Sequence, residues 1–101
     1  DDIYAAKKIN FDRIELYTGH YAKNFTHDKK NAVEPYTIAA LKANELDLGL
    51  NAGHDLDLHN LCYFKQNVPF LSEVSIGHAL ICDSLYLGIE NTIRKYKENL
   101  L

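Results

Sequence analysis

The chain has 101 residues, 47% of them hydrophobic and 25% charged, with a formal net charge of −3. That is ordinary globular composition for one small domain, and it excludes disorder and collagen-like order. The basic residues are scattered (Lys7-Lys8, Lys29-Lys30, Arg94, Lys95, Lys97) rather than gathered into a stripe for nucleic acid, and no apolar run approaches the roughly 20 residues that span a bilayer.

The opening Asp1-Asp2-Ile3 has neither the basic n-region nor the apolar h-region of a secretory signal. No methionine occurs, and a translated chain normally begins with one, so residue 1 is expected to be an internal position of a longer protein. Residues 3–9 read as the tail of a helix. A first strand follows over 13–18, where Ile14 and Leu16 alternate with Arg13, Glu15 and Tyr17. Period two sends the two sets to opposite faces of a sheet. Residues 32–46 carry Ala39, Ala40, Ala43 and Leu46 at helical spacing, with Asp28 available near the start. Pro35 suits a first turn and would kink a helix interior. The second strand is 48–52, in which Leu48, Leu50 and Ala52 alternate with Gly49 and Asn51. Residues 57–65 then place Leu58, Leu61, Cys62 and Phe64 on one side of a helix ending before Pro69. The third strand, 73–76, sets Val74 and Ile76 against Glu73 and Ser75. A closing helix over 79–101, broken near Gly88, takes Ile89, Ile93, Tyr96 and Leu100 as its inward stripe. Cys62 and Cys82 lack CxxC spacing and sit among apolar residues, which predicts buried, reduced thiols in a cytosolic protein.

Strands alternating with helices imply βαβ units and a parallel α/β sheet. Three such strands alone leave a face uncovered, so the sheet is expected to continue upstream. Each strand leads into a Gly-His pair: Gly19-His20, Gly53-His54 and Gly77-His78, spaced 34 and 24 residues apart. Glycine permits a tight turn and close approach to the backbone. The helix that follows offers free N–H groups and a positive dipole end to an anion. In (β/α)8 barrels the active site lies at this end of the strands, often with a phosphate site after strands seven and eight. Gly77-His78 before Ala79-Leu80-Ile81 fits such a helix start, with His78 offering its backbone N–H.

With Ile14 and Leu16 facing the helices, Glu15 and Asn51 point to the other face. Glu15 serves there either as a functional carboxylate or in an ion pair, for instance with a lysine or arginine from a strand missing from this chain. His54 ends a strand between an inward asparagine and a helix start, a position suited to proton transfer; the alternative is a loop histidine bonded to a carbonyl. His20 either lines the mouth or is a turn residue packed by Tyr21. His27 and His59 are expected at helix starts on the surface. No metal-binding motif appears.

The segments Arg13-Ile14-Glu15-Leu16-Tyr17-Thr18-Gly19-His20-Tyr21-Ala22, Asn51-Ala52-Gly53-His54-Asp55-Leu56 and Ser75-Ile76-Gly77-His78-Ala79-Leu80-Ile81 resemble the pyridoxine 5′-phosphate synthase family of vitamin B6 biosynthesis. The resemblance extends over essentially the whole chain. It implies that residues 1–101 are the C-terminal part of a single TIM-barrel domain, its last three strand–helix units, strands six to eight. It also implies a cytoplasmic, homo-octameric, transferase-class enzyme that condenses 1-deoxy-D-xylulose 5-phosphate with 3-amino-2-oxopropyl phosphate. The products are pyridoxine 5′-phosphate, phosphate and water, with no metal or organic cofactor, no nucleic acid and no membrane partner. By the same resemblance His54 is the proton donor and Glu15 stabilises the transition state. Asp55, Gly77 and His78 contact the amino-ketone phosphate, mainly through their backbones. Some family members have glycine where Asp55 stands, and the Asp55 carboxylate is available to cap the following helix. The other catalytic partners fall on strands outside this chain, so the fragment alone is expected to be inactive. Two alternatives remain: another phosphate-binding barrel acting on sugar phosphates, and a small α/β binding module without catalysis.

Overall fold

The computed structural model describes residues 2–9 and 11–101. Helices and strands alternate in the order α1 (Asp2–Lys8), β1 (Arg13–Tyr17), α2 (Gly19–Glu45), β2 (Gly49–Gly53), α3 (Leu61–Asn67), β3 (Leu71–Ser75), α4 (His78–Leu87) and α5 (Ile89–Asn99). The strands form a parallel sheet in the order β1-β2-β3. Glu15 stands opposite Asn51, and Tyr17 opposite Gly53, which in turn faces Ser75. A register irregularity at Leu50/Asn51 marks the β2–β3 pairing. The α/β class and all three predicted strands are thus present, each within two residues of its expected start.

The alternation seen in the sequence sorts the two faces. Leu50 and Ala52 are buried and belong to one core with Val33, Ala40 and Ala43 of α2 and Leu61 and Phe64 of α3. Burying a side chain the size of Leu50, Leu61 or Phe64 stabilises the fold by about 1.5–3 kcal/mol each. Arg13, Glu15, Tyr17 and Glu73, on the opposite face, are exposed. There the Arg13 guanidinium donates to Asn51 Oδ1 at 2.8 Å.

Helix α2 begins thirteen residues before its predicted start at Ala32, and it is two helices joined at a kink. Asp28 has non-helical dihedrals (φ −156°, ψ 86°). Its Oδ1 accepts the Asn31 N–H at 3.2 Å, so it caps the second segment as its position suggested. Pro35 lies inside that segment, beyond its first turn. The first segment is anchored by Tyr21, which is fully buried against Phe64, Phe25 and Tyr36.

The closing helix does break at Gly88, whose φ of +80° and ψ of 148° suit only glycine. Its inward stripe differs from expectation. Thr92 and Tyr96 are buried and Leu100 packs on the core, whereas Ile89 and Ile93 lie exposed on an adjacent face. Helix α4 buries no residue at all, and Tyr86 is 89% exposed. Neither cysteine is buried as predicted: Cys62 is half-buried and Cys82, on α4, is exposed, both as free thiols. Apolar neighbours along the sequence do not bury a residue when nothing packs against that face of its helix. Tyr96 ties α5 to α4 by donating to Asp83 Oδ2 at 2.7 Å.

Candidate functional site

An open cleft of about 1010 Å³ runs along the C-terminal ends of the three strands. Its lining includes Tyr17, His20 and Lys23 from the first corner, His54 and Asp55 from the second, and Gly77 and His78 from the third. The histidines of all three Gly-His pairs therefore converge on one space. Glu15 lies beside it: its Oε2 would stand 3.4 Å from a Cβ built on Gly53. The carboxylate occupies the strip over Gly53 that a side chain would fill. Among the described residues it makes no ion pair; the base that the structural alternative calls for would come from a strand outside this chain.

The loop after β2 carries unusual backbone. His54 has φ 111° and Asp55 φ 60°, both in the positive region that costs a non-glycine residue about 1–3 kcal/mol. The surrounding structure holds them there. Thr18, fully buried after β1, donates its hydroxyl to the His54 carbonyl at 2.5 Å, and its N–H donates to the Gly53 carbonyl at 3.1 Å. Asn60 Nδ2 donates to the Asp55 carbonyl at 3.2 Å, and the Tyr21 hydroxyl donates to the Asn60 carbonyl at 2.5 Å. Burial pushes the Tyr21 phenol well above its ordinary range. The His54 ring lies against Tyr17, with centroids 4.4 Å apart and planes tilted by 42°. Gly19 makes room for this, since a Cβ there would meet the Tyr17 ring at 2.5–2.6 Å.

Asp55 does not cap the next helix. Its Oδ2 lies 3.0 Å from His54 Nδ1. The N-cap of α3 is Asn60, and the turn before it is shaped by Asp57, whose Oδ1 accepts the N–H groups of His59 and Asn60, while Asn60 Oδ1 accepts the Asp57 N–H. That reciprocal pair has the form of a capping box. It sets the turn from which α3 starts at Leu61, later than the predicted start at Asp57. His59 sits in this turn, edge-on to Phe25, and His27 ends the first segment of α2 instead of starting a helix.

At the third corner α4 begins at His78, one residue before its predicted start at Ala79, with Gly77 as N-cap and no side chain capping its first turn. The backbone N–H groups of that turn are the unpaired donors of any helix start. A Cβ on Gly77 would meet nothing within 4 Å, so its glycine leaves open space before these donors. His20 is in the first turn of α2 and lines the cleft, while Tyr21 points away into the core.

Sequence reasoning missed Tyr17, Thr18 and Lys23 as parts of the site. Tyr17 shared a face with Glu15, which was a usable signal. Lys23 falls one turn beyond Gly19 only if the helix starts there, and the weak helix-forming run from Gly19 to His27 hid that start. Among the described residues no group of three or more His, Cys, Asp or Glu side chains is arranged to hold a metal ion. Nor is any helix long and apolar enough to cross a membrane.

The family model described as "Pyridoxal phosphate biosynthesis protein PdxJ" matches residues 1–101. Over 98 residues the chain is 57% identical to a protein of Cytophaga hutchinsonii named pyridoxine 5′-phosphate synthase, covering 97% of this chain and 41% of that protein. It is 56% identical over 100 residues to a protein of that name from Porphyromonas gingivalis, covering 99% of this chain and 42% of the relative. A third, from Bacteroides fragilis, is 58% identical over 97 residues, covering 96% of this chain and 40% of the relative. The chain thus spans about two-fifths of the length of the curated relatives it matches.

Proposed function

Because the chain belongs to the PdxJ family of pyridoxal phosphate biosynthesis proteins, we propose that it supplies strands six to eight of the (β/α)8 barrel of a pyridoxine 5′-phosphate synthase. The enzyme condenses 1-deoxy-D-xylulose 5-phosphate with 3-amino-2-oxopropyl phosphate and releases phosphate and water as the pyridine ring closes. The family match favours this over another sugar-phosphate barrel or a non-catalytic module. The sheet supports the barrel: its strands are parallel and in sequential order, with a polar face left free for an interior. On the family resemblance, the assembly is a cytoplasmic homo-octamer and the 101-residue segment alone is inactive.

The observation that carries the chemical reading is the shared cleft of His54 and the α4 N-terminus. Imine formation, elimination and carbon–carbon bond formation each move a proton, so a histidine held at the reacting centre is the group this reaction needs. His54 donates a proton to a departing oxygen. The backbone donors at Asp55 and at Gly77-His78 hold the amino-ketone phosphate, where the dipole of α4 favours negative charge. Glu15, beside Gly53, stabilises positive charge that develops on the imine nitrogen. His54→Ala in the full-length protein tests this. General acid catalysis contributes about 10²–10⁴-fold, so turnover should fall by that order with the fold intact. Near-normal turnover would remove His54 from the proton-transfer role.

A further inference from the structure

We propose that the Asp55 side chain is a positioning residue for His54, forming with it a dyad that fixes the tautomer and orientation of the imidazole. This rests on His54 being the proton donor, and it gives the Asp55 carboxylate a task separate from any backbone contact to phosphate. His54 Nδ1 and Asp55 Oδ2 are 3.0 Å apart. An ionised carboxylate only accepts hydrogen bonds, so the Nδ1 atom must carry the hydrogen. Nε2, which has no hydrogen-bond partner among the described residues, is then the nitrogen left for a substrate.

Three contacts of different kinds converge on this one residue. Tyr17 covers a ring face at 4.4 Å, Asp55 takes the Nδ1 edge, and the Thr18 hydroxyl grips the His54 carbonyl at 2.5 Å. The adjacent residues 54 and 55 both adopt positive φ, and that unusual backbone accompanies a side-chain hydrogen bond between nearest neighbours in the chain. The backbone strain and the dyad therefore belong together: the twist that costs energy accompanies the contact that aligns the ring.

The proton balance is simple. The imidazolium gives its Nε2 proton to a departing oxygen of the substrate. It is left neutral with its remaining proton on Nδ1, already bonded to Asp55, so the ring need not turn between proton loss and proton recovery. Orientation by a carboxylate at Nδ1 is the logic of the hydrolase triad. Here the effect is smaller, because the side chains of His54 and Asp55 are 53% and 59% exposed and water screens the pair.

The test uses ¹⁵N imidazole spectra of the histidine-labelled full-length protein at a pH where His54 is neutral. The His54 signals are identified by their loss in His54→Gln. The Nδ1–H tautomer should predominate in the native protein. Asp55→Gly should return it to the Nε2–H form that free imidazole favours and lower kcat about tenfold with KM little changed. Asp55→Asn, whose amide N–H can donate to Nδ1 where the carboxylate only accepts, should lose the Nδ1–H preference and lower turnover as Asp55→Gly does. An Nε2–H tautomer in the native protein, or a tautomer indifferent to Asp55→Gly, overturns the dyad whatever happens to kcat. A rise in KM with kcat unchanged would make Asp55 a substrate contact and overturn it equally. Full turnover in His54→Ala would sink the proton-donor reading instead, while the tautomer readout would still decide whether Asp55 orients the ring.

Discussion

Replacing Thr18 with valine isolates the contact that holds the strained loop. Thr18 occupies the N-cap position of α2, where a hydroxyl ordinarily accepts a backbone N–H of the first turn. Here it makes no such bond and donates instead to the His54 carbonyl. Thr18→Val therefore keeps the shape, loses no side-chain cap, and removes only that donor from a fully buried site. The lost hydrogen bond is worth about 0.5–1.5 kcal/mol, and the abandoned carbonyl adds part of a further desolvation cost of about 1–3 kcal/mol. We expect the full-length protein to lose about 1–2 kcal/mol in urea titrations analysed by linear extrapolation. With the hydroxyl gone, the strain stored at His54 and Asp55, about 1–3 kcal/mol for each, no longer meets its main restraint. Turnover should fall by about tenfold, the equivalent of about 1.4 kcal/mol in the barrier. Thr18→Ser, which keeps the donor, should stay close to wild type in turnover. A valine variant as stable and as active as the serine variant would refute the idea that this bond holds the loop.

Two further predictions probe other parts of the site and core. Gly77→Ala adds a methyl group into open space but puts alanine at the N-cap of α4 (φ −117°, ψ −84°), so urea stability should fall by about 0.5–1 kcal/mol. If phosphate approaches that backbone, KM for the amino-ketone phosphate should rise severalfold; an unchanged KM would remove Gly77 from the phosphate site. Burial raises the phenols of Tyr21, Tyr36 and Tyr96, the last also through its bond to Asp83. A folded-state value above the unfolded one means full stabilisation below the ordinary tyrosine value of about 10 and progressive loss above it. Absorbance at 295 nm should therefore show a late-titrating class of tyrosines that ionise together with loss of helical circular dichroism; seven independent titrations near the ordinary value would contradict this.

The sequence made the strands and the three corners readable because both depend on local pattern. Alternation of Ile14 and Leu16 with Glu15 needs only period two, and Gly-His at a strand end needs only position. What depended on distant partners was not readable. The run from Gly19 to His27 becomes helical because Tyr21 is locked among Phe25, Tyr36 and Phe64, and propensity alone would not place a helix there. Ile89 and Ile93 have the spacing of a buried stripe, yet burial went to the face carrying Thr92 and Tyr96. Asp55 was available to cap the following helix, but the reciprocal bonds between Asp57 and Asn60 shape that turn instead.

The second corner of the cleft is held by the first. The loop carrying His54 comes from β2, but the groups that fix it, the Thr18 hydroxyl, the Thr18 N–H and the Tyr21 phenol, come from the end of β1 and the start of α2. The end of β1 is held in turn by Tyr36, further along α2, whose hydroxyl donates to the Tyr17 carbonyl at 2.7 Å. Such bracing explains why a positive-φ histidine persists at an exposed strand end: local preference opposes it, and a buried polar network from the preceding unit outweighs that preference. It also separates two kinds of substitution. Changing His54 or Asp55 should alter the chemistry and leave the loop standing, whereas changing Thr18 or Tyr21 should free the loop and disturb chemistry only through it.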